Sequence, residues 1–163
     1  MKLSDKLLKE LNKQYNLEVQ SAFIYRHMAI WANARDWGGM ANWFEKQYEE
    51  EMEHAEKIYN YINERNADVE LDVIEKPEGD WSSMLEVMKA AQAHEEFISR
   101  RFVELSTIAM GDKDFPALVF LTWFHKEQVE EEEQSAYWVN RLAKCEDKVV
   151  CLMKIDGEMG ARE

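Results

Sequence analysis

Four stretches of the chain carry buried-type residues at alternating steps of three and four, and each stripe is broken by a charged or amide residue near its middle. That period belongs to the α-helix, because residues so spaced share one face of a 3.6-residue turn. The first stripe reads Leu7, Leu11, Gln14, Glu18, Ala22, Tyr25, Ala29, and the second Met40, Phe44, Gln47, Glu51, His54, Ile58, Ile62. The third reads Met84, Met88, Ala91, Glu95, Ile98, Phe102, Leu105, Ala109. The fourth reads Ala117, Leu121, Phe124, Gln128, Glu131, Ser135, Trp138, Leu142. A charged residue on a face bound for the core must be paired or hold a metal. One such break could be a side chain snorkelling at an edge. Four at similar depth meet at one level when antiparallel helices of similar length pack together.

Only two prolines and six glycines occur in 163 residues, which leaves long helices uninterrupted. The pattern predicts helices over about 5–37, 40–66, 84–110 and 115–144, with a short one at about 149–159 weakened by Gly157. Ser4 serves as N-cap of the first, and Gly38-Gly39 is expected to stop it. Ser83-Met84-Leu85-Glu86 is a capping-box pattern, and Pro116 falls in the first turn of the fourth helix. Residues 67–81, with Pro77 and Gly79, are too many for a tight turn between helices. Extended at about 3.3 Å per residue they span roughly 50 Å, the length of a bundle. Val69, Leu71, Val73 and Ile74 are expected to hold that segment against the protein. The expectation is an all-α, single-domain fold over residues 1–163: a four-helix bundle with one long crossover between helices 2 and 3 and a short fifth helix.

The net charge of −13 argues against nucleic acid, whose phosphates would be repelled, and fits solubility and attraction of cations. No apolar run has the length of a membrane span, and the N-terminus shows no signal-peptide core. The expected location is therefore cytoplasmic, with no membrane partner. Cys145 and Cys151 could pair, but in that compartment they are read as free thiols.

The polar breaks repeat. Glu18 and Glu51 are 33 residues apart, as are Glu95 and Gln128. A shift of 77 carries Glu18, Glu50, Glu51, Glu53 and His54 onto Glu95, Glu127, Gln128, Glu130 and Glu131. Two helix pairs with single Glu residues on two helices and i, i+3 pairs on the other two have the layout of a carboxylate-bridged dimetal bundle. Glu51 is the natural bridge, Glu18 and His54 complete one position, and Glu95 holds the other. Gln128 is a neutral, weaker ligand, or orients a bound water or dioxygen. Oxygen-rich donors with open positions suit Fe(II) and its oxidation. Glu50, Glu127, Glu130 and Glu131 could form a third, weaker cation site, whereas Glu132 and Glu133 read equally well as a solvated charge run. Tyr25 lies two turns beyond Glu18. It packs in the core by default, but its hydroxyl could bond a ligand carboxylate or give up an electron. Trp123 reads as core, and His27, His94 and His125 fall off the stripes and read as surface or interface residues.

Together these motifs resemble the ferritins, specifically the prokaryotic non-haem kind, over nearly the whole chain. The likeness rests on Asn16-Leu17-Glu18, Met28-Ala29-Ile30-Trp31, Glu50-Glu51-Met52-Glu53-His54, Pro77 with Trp81-Ser82-Ser83, His94-Glu95, and Trp123 through Glu131. The resemblance implies a ferroxidase centre on Glu18, Glu51, His54, Glu95 and Gln128, and a further iron site on Glu50, Glu127, Glu130 and Glu131. It makes Tyr25 the centre tyrosine and Trp123 its nearby tryptophan. It implies a hollow twenty-four-subunit cage that oxidises Fe(II) with dioxygen or hydrogen peroxide and stores ferric mineral. Three places depart from relatives. Glu131 stands where bacterioferritins carry a second histidine. Met52 occupies the position of their haem-ligating methionine, although haem is not expected here. Leu118 and Leu121 stand where animal ferritins line a threefold channel with carboxylates. The rival expectations are a small di-iron oxidase or peroxidase without storage, and a helical bundle whose polar layer only sets register.

Overall fold

The computed structural model describes residues 2–162, so both ends of the expected 1–163 span, residues 1 and 163, lie outside the described residues. Among them there are five α-helices and no strand: α1 (Asp5–Asn33), α2 (Gly38–Glu64), α3 (Met84–Gly111), α4 (Phe115–Cys145) and α5 (Val149–Met159). None is long and apolar enough to cross a membrane.

Capping chemistry sets the helix starts. Ser4 Oγ accepts from the Leu7 amide at 3.1 Å, and Asp114 accepts from the Ala117 amide at 3.1 Å ahead of Pro116. Ser83 Oγ accepts from the Glu86 amide at 3.2 Å, while Glu86 Oε2 accepts from the Ser82 amide at 2.8 Å. The reciprocal bond therefore goes to the residue before the cap.

Two apolar clusters fill the bundle, one at each end. Leu7, Leu11, Ile58, Ile62, Phe102, Leu105, Leu121 and Phe124 form one. Met28, Met40, Phe44, Met84, Met88, Leu142, Ile155 and Met159 form the other, with α5 closing that end. Each fully buried side chain of this size contributes roughly 2 kcal/mol of hydrophobic stabilisation. The start of α1 shares a cluster with the ends of α2 and α3, so α1 runs antiparallel to both. α2 and α3 are parallel, and the chain between them must return the full length of the bundle.

That return is held by polar side chains. Asn12, Asn16 and Gln20, one turn apart on α1, each grip the crossover backbone in both directions. Asn12 donates to Asp68 O at 3.1 Å and accepts from the Glu70 amide at 2.8 Å. Asn16 donates to Glu70 O and accepts from the Asp72 amide, both at 2.8 Å. Gln20 donates to Glu75 O at 3.0 Å and accepts from the Glu75 amide at 2.8 Å. Trp31 Nε1 then donates to Trp81 O at 3.0 Å. The expectation that apolar residues pin this segment is corrected in part, because Leu71 and Val73 are 80% and 72% exposed. The amides replace them because an extended strand with no neighbour must satisfy its own N–H and C=O groups.

Two further expectations change. Gly38-Gly39 does not stop α1, which ends at Asn33. Asp36 makes the turn at φ 62°, and the glycines open α2. Gly39 is there for close approach, since a Cβ on it would lie 1.7 Å from Asp156 O of α5. The next amide, of Met40, donates to Asp156 Oδ1 at 2.8 Å. Cys145 and Cys151 are not free thiols but form a disulfide. Glu146 and Asp147 both take left-handed backbone, at φ 49° and 56°, and fold α5 back so that the two Cα atoms lie 5.5 Å apart.

Candidate metal centre

Between the two apolar clusters lies a buried polar layer: Gln14, Glu18 and Ser21 from α1, Gln47, Glu51 and His54 from α2, Glu95 from α3, and Gln128, Glu131 and Ser135 from α4. Among the described residues, Glu18, Glu51 and His54 form a cluster whose donor atoms all lie within 4.8 Å of one another. Glu51 Oε2 sits 3.3 Å from His54 Nδ1, one helical turn away. Glu18 Oε1 accepts from Gln14 Nε2 at 2.7 Å, but fully buried Glu18 Oε2 meets no N–H or hydroxyl donor, and the Glu18 carboxyl has only the neighbouring Glu51 carboxyl to share a proton with. An orphaned buried carboxylate oxygen is costly unless a cation or proton meets it. Two carboxylates and an imidazole are suitable donors for a transition metal such as iron, manganese or zinc.

Across the layer, Glu95 is bound on both oxygens. Tyr25 Oη donates to Oε1, and Gln128 Nε2 donates to Oε2 at 3.0 Å. Gln128 also lies 3.3 Å from Glu95 O and 3.4 Å from Ser99 Oγ. Glu131 Oε2 accepts from Gln47 Nε2 at 2.8 Å.

The comparisons with known proteins fit this arrangement. The family model for the ferritin-like domain matches residues 8–145. The chain is 42% identical over 160 residues to a bacterial non-heme ferritin of Staphylococcus aureus, covering 98% of this chain and 96% of that protein. The chain belongs to the ferritin family. A ferritin of Staphylococcus epidermidis is 39% identical over the same length. An open-pore ferritin of the archaeon Archaeoglobus fulgidus superposes with a TM-score of 0.97 at 34% identity, covering 99% of each chain. The four-helix bundle with its long crossover and short C-terminal helix is thus the ferritin fold.

Electrostatics set the state of this ferritin's polar layer. Burial, followed by the adjacent Glu51 carboxylate, pushes Glu18 well above the usual carboxylate range. Burial and then Glu95 do the same to Glu51. Burial raises Glu95 against the opposing bonds from Tyr25 and Gln128. Glu131 is raised to about 7, by burial and then by Glu95. Tyr25 is driven up by burial and by Glu95, which keeps its hydroxyl a proton donor. Like charges in a dry layer cannot all ionise without a counter-charge. Protons supply it in the metal-free protein, and a divalent cation would replace them.

The remaining sequence candidates separate. Glu50 lies at the rim of the layer and pairs with Arg162 at 2.6 Å. Glu127 is half-buried, Glu130 is exposed, and neither joins the tight cluster. Trp123 stands edge-on to His54 with ring centres 5.5 Å apart, and Lys57 Nζ lies 4.1 Å from the centre of its ring. Leu121 packs in the core rather than on a channel wall. Its distance of seven residues from Gln128, two helical turns, returns it to the inward face.

The three off-stripe histidines occupy half-buried surface and interface positions, as expected there, and each reaches a neighbouring element. His94 Nε2 lies 2.7 Å from Ser21 Oγ across the α1–α3 gap, with its ring edge-on to Tyr25, and burial lowers it to about 4. His125 Nε2 lies 2.7 Å from Ser106 Oγ of α3, and His27 Nε2 lies 2.8 Å from Gly79 O of the crossover. Gln14 and Gln47 stood on the inward stripes without a role at the site, and Arg162, which contacts the layer, carried no sequence assignment. Gln14 and Gln47 each sit one turn before a stripe glutamate, and that spacing was the available signal. Arg162 had none.

Proposed function

We propose that the chain is a ferroxidase and iron store, a single ferritin-like domain acting in the cytoplasm as a subunit of a twenty-four-subunit cage. The observation that carries this reading is the buried Glu18–Glu51–His54 cluster with its unpartnered Glu18 oxygen. Fe(II) is the substrate. Glu18, Glu51 and His54 bind one ion, Glu51 and Glu95 the second, and Gln128 lies beside the second. Each Fe(II) gives one electron to dioxygen or hydrogen peroxide and leaves as Fe(III) for the interior, where ferric mineral accumulates.

The chain's residues prepare this step. The apolar clusters above and below exclude water, so the carboxylates act at short range in a low-dielectric layer. Gln14 holds one oxygen of Glu18, and the other is left for an ion. Tyr25 keeps its proton on Glu95 until an ion draws that carboxylate away. It then stands ready to donate a hydrogen bond or an electron to the bound oxidant. Glu50, Glu127, Glu130 and Glu131 form a third, outer iron site on the way out.

The test is size-exclusion chromatography followed by aerobic Fe(II) titration. A large cage that takes up many irons per subunit is the expected result. A dimer that saturates at a pair of irons per subunit would replace storage with a small di-iron oxidase or peroxidase. Glu18→Ala and His54→Ala should abolish the fast phase of oxidation, and unchanged initial rates would remove the paired-site assignment.

A further inference from the structure

Arg162 lies beyond α5 and turns back onto the bundle. Nη2 donates to Glu50 Oε2 at 2.6 Å and Nη1 to Gln47 Oε1 at 2.5 Å, with Trp43 O 3.4 Å from the same nitrogen. The guanidinium carbon lies 5.0 Å from the centre of the Trp43 ring, and the Arg162 carbonyl accepts from Asn42 Nδ2 at 3.0 Å. The Arg162 side chain is only 18% exposed against 42% for Glu50, so the contact is built rather than a loose surface pair.

Gln47 carries the contact inward. Its oxygen faces the guanidinium, so its NH₂ faces Glu131 and donates to Oε2 at 2.8 Å. One guanidinium therefore neutralises Glu50 directly and orients Glu131 through an amide. A planar fork with several donors holds both ends at once, which a lysine ammonium does less well.

We propose that Arg162 is a resident internal cation for the outer carboxylates, and that an ion entering between Glu50 and Glu131 must displace it. The inference rests on the reading of Glu50, Glu127, Glu130 and Glu131 as a third iron site. A divalent ion and the guanidinium, which already holds Oε2, compete for the single negative charge of the Glu50 carboxylate and repel each other. Arg162 keeps that site weak, so an ion passes through it rather than settling there. It is a positioning residue, acting through Gln47 and Glu50. Its displacement does not require α5 to move, because α5 is held separately by Met40 N on Asp156 and by Arg141 on Glu158 at 3.0 Å.

The test uses the full-length assembled protein and Zn(II), which binds without redox chemistry, counted and ranked by calorimetric titration. R162Q should bind the outer ion about tenfold tighter than the wild type, with the inner ions unchanged. R162K should fall between them, since it keeps the charge but loses the bridge to Gln47. E50Q should lose the outer ion. An outer affinity equal in wild type and R162Q, with the ion lost in E50Q, would overturn the role of Arg162 and leave the third site standing. Retention of the outer ion in E50Q, or its absence from both wild type and R162Q, would remove the third-site reading itself and this inference with it.

Discussion

Gln128 Nε2 donates to Glu95 Oε2 at 3.0 Å, and this bond makes the two halves of the polar layer chemically unequal. In the pseudo-repeat, Glu95 corresponds to Glu18 and Gln128 to Glu51, so one half pairs a carboxylate with an amide and the other pairs two carboxylates. The donors differ too. Glu18 is held by Gln14 of its own helix, whose counterpart in the second half is Ala91, whereas Glu95 is held by Tyr25, whose counterpart is Phe102. Gln128→Glu should bind the second inner Zn(II) about tenfold tighter, a gain of about 1.4 kcal/mol from the added charge. The same variant should lower the melting temperature of the metal-free protein, because a further buried carboxylate has lost its donor. Equilibrium metal titration and calorimetric melting check the pair of effects. A variant with unchanged second-ion affinity would place Gln128 outside the site.

Gln14 orients Glu18 without being able to bind an ion as strongly as a carboxylate. Gln14→Leu keeps its volume and removes the 2.7 Å bond to Glu18 Oε1. Affinity for the first inner ion should fall by about 10–100-fold, the usual effect of losing a partner that orients a ligand. The second inner ion should be almost unaffected. Competition with a chelator of known affinity measures both.

The raised carboxylates make stability pH-dependent in a definite direction. Glu131 stands at about 7 in the folded protein against 4.5 as its ordinary value, and Glu18, Glu51 and Glu95 are displaced the same way. The folded chain holds protons that the unfolded chain has released. The stabilisation is therefore full below the unfolded value and is lost as pH rises through the folded one. For Glu131 alone the loss is about 3 kcal/mol. Denaturant unfolding of the metal-free protein should show lower stability at about pH 8 than at about pH 5. Added Zn(II) should restore it at the higher pH by taking the place of the protons. Stability that rises with pH across this window would contradict the protonated layer.

The crossover depends on three amides of α1. Asn16→Ala removes three hydrogen bonds: the two to the crossover, to Glu70 O and from the Asp72 amide, and a local one to Asn12 O at 2.9 Å. Each is partly solvated, so the cost should be about 1–2 kcal/mol. Hydrogen exchange at the Asp72 amide should accelerate while core amides of α3 stay protected. Equal acceleration throughout would mean that the crossover unfolds only with the whole bundle.

Much of this ferritin's architecture was legible in the sequence, because its signals are local. A residue's angle around a helix follows from its number and the 3.6-residue turn, so Glu18, Glu51, His54, Glu95 and Gln128 could be assigned to inward faces before any contact was known. The length of the 67–81 segment already required a crossover rather than a turn. The glycine pair misled because glycine has two uses, ending a helix and admitting a close neighbour. Only the position of α5 against Gly39 separates them. The histidines' partners were not legible, because an off-stripe position only shows that a residue leaves the core face and not which neighbouring element it meets, as His94 meets Ser21.

The sequence by itself determined which faces are buried and at what depth each polar residue lies, because both follow from periodicity along one chain segment. Tertiary structure alone decided which partner each polar atom meets. Arg162 reaches Glu50 across 112 positions, Tyr25 reaches Glu95 across 70, and Met40 reaches Asp156 across 116. It also closed Cys145 onto Cys151, through two consecutive left-handed residues that no local pattern announces. The physical reason is range. Backbone propensity and amphipathic spacing act within a few turns, whereas desolvation and hydrogen bonding act between whatever surfaces the packed helices bring together.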